Sequence, residues 1–191
     1  VAAATAARRA TDSIPIVMLH AGNPIGAGLI VSLARPGGNV TGTANPILPG
    51  KKLELMRELV PHMTRLAVLI NPTNAGASSF VAGMNDAARS FNISVAVVEV
   101  TRAEDFSQAF TSIRSARPDW LHAAEEPMIS AHRAKLVEFA DSARLPLSSD
   151  VAETTRVGGL VSYAPPFAEH YVLAAAYVDK ILKCAKPAEL P

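Results

Sequence analysis

From Lys51 onward the chain alternates short apolar runs with amphipathic ones, and no other feature restricts its fold so strongly. Five runs have strand length and are rich in apolar side chains: 66–70, 93–100, 120–124, 145–148 and 159–163. Between them lie segments whose apolar residues recur every three or four positions. Leu53, Leu55, Met56, Leu59 and Val60 predict a helix that stops before Pro61, and a second helix is predicted over 78–90. Phe106, Ala109, Phe110 and Ile113 share one face of a helix over 105–116, and Leu136, Val137, Phe139 and Ala140 do so over 132–143. Short apolar strands separated by helices of this length need crossover connections. The solution is an α/β fold of Rossmann-like parallel sheets with flanking helices.

Before Lys51 the pattern is more broken. Residues 14–19 form an apolar run entered through Pro15, which suits the start of a strand but not its centre. Pro24 and Pro36-Gly37-Gly38 bracket 25–34, where Ile25, Leu29, Ile30 and Leu33 recur at helical spacing and predict one short helix. A brief strand at 40–41 is followed by a breaker-rich link, Asn45-Pro46 and Pro49-Gly50. The alanine-rich start, 1–10, ends in Arg8-Arg9 and reads as the tail of a helix, because an export signal would carry its charges before its apolar stretch. A strongly amphipathic helix is expected over 167–183. Cys184 at its end excludes an internal disulfide and any CxxC motif, and is expected to be a half-buried thiol.

Charge and hydropathy exclude several functions. Eighteen basic and seventeen acidic residues leave a formal charge of +1, with no basic cluster longer than a pair, so a nucleic-acid partner is not expected. No apolar run approaches the length of a membrane span.

In an open parallel sheet, ligands bind beyond the carboxyl ends of the strands. Five loops occupy such positions: 20–24, 71–76, 101–104, 125–127 and the segment from Asp150. The second combines Asn71, Thr73 and Asn74 with Ser78 and Ser79 at a helix start, which suits a carboxylate or phosphate; helix capping is the competing explanation. Glu125-Glu126 could form an acid/base pair or a solvated loop pair, with Glu126 alternatively accepting an ammonium group. The five histidines are scattered singly, without zinc-site spacing; His20, beside a glycine-rich loop, is the best placed to touch a ligand. No metal or cofactor is expected. A G-x-S-x-G elbow is missing, and Gly22-Asn23-Pro24-Ile25-Gly26-Ala27-Gly28 reverses the dinucleotide glycine order, so no catalytic assembly is legible.

One family resemblance covers nearly the whole chain. The run IPIVMLHAGNPIGAGLIVSLARPGGNVTG over 14–42 resembles a segment of the substrate-binding proteins of one class of ABC transporters. So do Gly50-Lys51-Lys52-Leu53-Glu54-Leu55, Ala67-Val68-Leu69-Ile70-Asn71-Pro72, Gly158-Gly159-Leu160-Val161-Ser162-Tyr163 and Ala175-Ala176-Tyr177-Val178-Asp179-Lys180-Ile181-Leu182. The resemblance, to tryptophan-binding-protein-like members, implies the type I periplasmic-binding architecture: two lobes closing on a small, amino-acid-like ligand delivered to a membrane permease outside the cytoplasm. It implies that 1–48 is the end portion of lobe one, 49–164 is lobe two, and 165–191 is a crossover and helix returning to lobe one. The first lobe would then be incomplete, with the export signal outside the sequence and a homodimer expected through the incomplete lobe. Cleft residues implied by the resemblance are Asn23, Thr43, Asn71, Asn74, Glu126 and Tyr163. Two departures, His122-Ala123-Ala124-Glu125-Glu126-Pro127 and Ser148-Ser149-Asp150, imply a more polar pocket. The reading is of a non-enzyme; a ligand-sensing regulatory domain of the same fold and an α/β enzyme are the alternatives.

Overall fold

The computed structural model describes residues 1–45, 48–74, 76–124, 126–163 and 167–191. Pro46 of the breaker-rich link, Ala75 of the second loop and Glu125 of the acidic pair lie outside the described residues. In chain order the main elements are α1 (Ala2–Ala10), β1 (Ile16–Ala21), β2 (Val40–Ala44), α2 (Pro49–Leu59), β3 (Arg65–Ile70), α3 (Ala77–Arg89), β4 (Ser94–Glu99) and α4 (Phe106–Ala116). There follow β5 (Trp120–Ala123), α5 (Pro127–Ala131), α6 (Arg133–Ser142), β6 (Leu147–Ser149), α7 (Ala152–Arg156), β7 (Val161–Ser162) and α8 (Phe167–Leu182). They divide into two compact units, Val1–Ile47 with Pro165–Pro191, and Leu48–Ala164.

The second unit is a five-stranded, fully parallel sheet in the order β4-β3-β5-β6-β7. Alternation along the strands sends side chains to opposite faces. Ala67, Leu69, Leu121, Ala123 and Leu147 join Phe106, Ala109 and Ile113 of α4 and Leu136, Val137 and Phe139 of α6 in one core, so the 3.6-residue stripes read from the sequence are the buried faces. Trp120 and His122 therefore face the other side, where Phe80 of α3 stacks on His122 with ring centroids 5.7 Å apart. Because β3 leads to β4 on one side and β4 leads back across β3 to β5, the order reverses between β3 and β5. That reversal opens a crevice at their carboxyl ends.

The first unit holds a two-stranded parallel sheet, β1-β2, in register from Ile16↔Val40 to Met18↔Gly42 and shifted beyond it. Gly42 is required there: its φ is +133°, and a Cβ would collide with the carbonyl oxygen of Met18. Met18, Ala21, Leu29, Ile30 and Val40 form the small core, and α8 packs on both strands.

Two expectations are corrected. Residues 25–34 form turns and bends, not a helix. Ala27 makes one i→i−4 bond to the Asn23 carbonyl, but Gly28 sits at φ +68° and bonds back three residues to Ile25 while Leu29 bonds back five residues to Pro24, so the ladder stops after a single turn. Of the four apolar residues at helical spacing only Leu29 and Ile30 are buried; Ile25 and Leu33 are exposed. Cys184 is exposed rather than half-buried, because α8 ends at Leu182 and the thiol sits in the left-handed turn that follows, at φ +68°. No helix among the described residues is long and apolar enough to cross a membrane.

Candidate functional site

At the carboxyl end of β3 the chain enters Asn71, which is buried. Its Oδ1 accepts the Thr73 backbone N–H at 3.0 Å and the Thr73 hydroxyl at 2.7 Å. Its Nδ2 donates to Glu126 Oε1 at 3.1 Å, across the reversal point between β3 and β5. Glu126 in turn caps α5, Oε2 accepting from the Ile129 N–H at 3.0 Å. The carboxylate is thus held from two sides, and the Asn71 amide keeps one further N–H. Asn74 shares the loop, but its Oδ1 accepts from Gly76 N–H at 3.0 Å rather than capping α3, whose N-cap is Gly76 without a side-chain bond. Two residues read singly from sequence, Asn71 and Glu126, are brought into contact.

A second cluster lies over β5, β6 and β7 of the same unit. Lys52 of α2, 8% exposed, places Nζ 2.5 Å from Oδ1 of Asp150, 6% exposed. His122 Nε2 lies 3.6 Å from the same oxygen, and His122 Nδ1 is 2.9 Å from Ser148 Oγ, which also accepts the Trp120 indole N–H at 2.8 Å. Lys52 Nζ sits over the Phe80 ring at 5.4 Å. Burial by itself would push the Asp150 carboxyl up, but the neighbouring His122 and Lys52 outweigh it and hold the group down to about 2. Lys52, His122, Ser148 and Asp150, with Leu55, Met56, Val161 and Tyr163, line a small concavity open to solvent. Tyr163 is therefore in this cluster, not with Asn71 and Glu126.

Sequence reasoning missed Lys52 and Trp120, and it named His122 and Ser148 only within the two departures that imply a more polar pocket. Signals existed. Lys52 falls four residues before Met56 on the stripe that α2 buries, and His122 interrupts a strand whose four residues are all buried. The Ser148-Ser149-Asp150 departure does put polar groups into a pocket wall.

Serine, histidine and carboxylate thus meet, but not as a nucleophilic assembly. Ser148 is 4% exposed, its oxygen is occupied by an indole donor, and the carboxylate and serine sit on the opposite ring nitrogens from those a triad uses. The loop 101–104 is closed on itself by Asp105, which accepts from Thr101 N–H, Thr101 hydroxyl and Arg102 N–H. Among the described residues no group of three or more potential metal ligands exists.

In the first unit, Thr43 Oγ1 accepts the His20 backbone N–H at 2.9 Å, and Asn23 Oδ1 accepts Gly26 N–H at 2.9 Å. His20 lies at the register shift of β1 with φ +53°; its Nε2 is 2.9 Å from Asn45 Nδ2, and its ring meets His170 edge-on at 4.6 Å. The histidines are thus less solitary than their spacing suggests. Asn23 is exposed and Thr43 buried.

Parallel α/β units of this kind are those of the type I periplasmic-binding fold. The chain belongs to the family of ABC transporter substrate binding proteins, whose family model matches residues 1–191. It is 29% identical over 157 residues to the tyrosine-binding protein of Clostridioides difficile strain R20291, covering 82% of this chain and 45% of that protein. Among solved structures it is similar to the ABC domain in complex with L-Trp from Streptococcus pneumonia, with 25% identity and a TM-score of 0.89 over 99% of this chain and 64% of that one. A conserved domain protein from Vibrio cholerae O1 biovar eltor gives 26% identity and a TM-score of 0.90, over 98% of this chain and 63% of that one. The chain thus spans just under half of the curated relative and less than two thirds of these solved structures.

Proposed function

We propose that this chain is part of the solute-binding component of an ABC importer, working outside the cytoplasm and handing a small, amino-acid-like ligand to a membrane permease. The observation that carries this reading is the family match over the whole chain. The tyrosine-binding relative and the L-Trp complex support an amino acid as the ligand class. The geometry adds a place for polar recognition: Asn71 and Glu126, locked together at the reversal of strand order, with Asn74 beside them. A carboxylate held by an asparagine and a helix N-terminus is preorganised to take a ligand ammonium, and its task needs no covalent chemistry or cofactor. Asn23, Thr43 and Tyr163 are proposed as further contacts. The units Val1–Ile47 with Pro165–Pro191, and Leu48–Ala164, are proposed to be the two lobes.

Thermal unfolding of the full-length protein across the twenty amino acids tests the reading. At least one amino acid should raise the midpoint in a concentration-dependent way, as selective binding to the folded state requires. A midpoint unmoved by every amino acid at millimolar concentration would remove the ligand class.

A further inference from the structure

Asn71 and Glu126 are each followed by a proline, Pro72 and Pro127. A proline disfavours helical backbone at the residue before it, and Glu126 is extended, at φ −160° and ψ 137°. The pairing of β3 with β5 continues one residue past β5, where the Ala124 N–H donates to the Leu69 carbonyl at 3.0 Å. Two side chains 55 positions apart are thereby presented to each other from fixed backbones.

Hydrogen-bonding capacity then decides what each of them offers. Thr73 places two donors on Asn71 Oδ1, its backbone N–H at 3.0 Å and its hydroxyl at 2.7 Å, and these occupy both lone pairs of that oxygen. The amide has one orientation: turned over, Nδ2 would meet the Thr73 N–H and Oδ1 would meet the Glu126 carboxylate. Nδ2 therefore donates to Oε1 at 3.1 Å, while the Ile129 N–H donates to Oε2 at 3.0 Å. Each carboxylate oxygen keeps acceptor capacity beyond these bonds. Asn71 is 8% exposed, whereas Glu126 is half-buried, and among the described residues no cation pairs with its carboxylate. The unused acceptor capacity of the three residues is concentrated on Glu126.

Building on the solute-binding reading, we propose that Thr73 and Asn71 are positioning residues that act through Glu126, whose carboxylate alone of the three meets the ligand's ammonium. Thr73 sets the amide, the amide sets Oε1, and the remaining lone pairs receive the cation. A glutamate side chain released from Asn71 regains rotamer freedom that ligand binding then has to remove.

A double-substitution cycle on the full chain tests this, with L-tyrosine and L-tryptophan as calorimetric probes. Asn71→Ala should weaken binding about tenfold, as loss of a hydrogen bond to a charged group predicts, and should add almost nothing once Glu126→Gln is present. Thr73 is exposed, so Thr73→Val leaves the fold intact; it should weaken binding about threefold, and Thr73→Ser, which keeps the hydroxyl, should bind as the wild type does. In the free protein, the Asn71 side-chain amide resonances should move in both Thr73→Val and Glu126→Gln. An Asn71→Ala penalty undiminished beside Glu126→Gln would make Asn71 a direct contact and overturn the proposal. Equal binding by the valine and serine variants, or amide resonances indifferent to both substitutions, would do the same. If Asn71→Ala does not fold, the two Thr73 variants and the resonances decide. Resonances that respond as expected while neither probe binds would leave the relay standing and count against the amino-acid reading.

Discussion

Lys52 and Asp150 show how much of the second unit's chemistry rests on single side chains. Taking two charges out of water is costly, and the pair is tolerated because Nζ and Oδ1 are in contact, with the Phe80 ring beneath the ammonium. Lys52→Met should therefore destabilise the chain by about 3–5 kcal/mol, since it leaves a buried carboxylate unpaired. Lys52→Met/Asp150→Asn should recover much of that loss, and denaturant unfolding of the three variants measures the coupling. The acid side follows from the same pair. With its folded pKa depressed to about 2, below the usual 3.8, the Asp150 carboxylate contributes stability that is fully present above about pH 4 and is lost as pH falls toward 2. Asp150→Asn should flatten that part of the acid unfolding profile; an unchanged profile would remove Asp150 as the titrating group. The sequence made part of this visible. Ser148-Ser149-Asp150 announced a polar wall, but Lys52 sits in an ordinary helix beginning, and only the tertiary fold joins it to an aspartate 98 positions later.

Among elements, those with strong periodicity were legible and those governed by glycine were not. Leu136, Val137, Phe139 and Ala140 are all buried on α6, and the strands of the second unit occur where apolar runs fall, within two residues at each end. Residues 25–34 carry an equally apolar pattern, yet Gly26 and Gly28 remove the backbone bias that helix growth needs, and the segment turns instead. Gly42 is the sharper case. Gly42→Ala should cost at least about 3 kcal/mol, because the residue combines a left-handed φ with a backbone collision against Met18 in the neighbouring strand. Chemical denaturation followed by circular dichroism checks this; a loss under about 1 kcal/mol would mean that β1 and β2 are not held in the observed register. The Asn71 to Glu126 contact belongs at this scale too. Both loops were recognisable as strand ends, but their adjacency depends on strand order, which no local pattern encodes.

At the scale of the whole molecule, the two units differ in how completely they bury themselves. The five-stranded unit encloses cores on both faces of its sheet, whereas in the first unit α8 leaves Val172 at 71% and Leu182 at 79% exposed. Surfaces of this kind associate, so the 191-residue chain by itself should sediment as a concentration-dependent homodimer or larger species; a monomer at all concentrations would contradict that expectation. Family membership is shown by the match over residues 1–191, and the substrate-binding role we propose rests on it. We propose that a small amino-acid-like solute sits at the carboxyl edge of the second unit's sheet, with Glu126 taking its ammonium. Calorimetric titration of the full-length protein and its Glu126→Gln variant with the amino acid that most raises the unfolding midpoint tests it most directly. Saturable one-to-one binding is expected, weakened about tenfold or more in the variant, as loss of a charged partner requires. Binding of equal affinity in both proteins, or no binding of any amino acid, would contradict it.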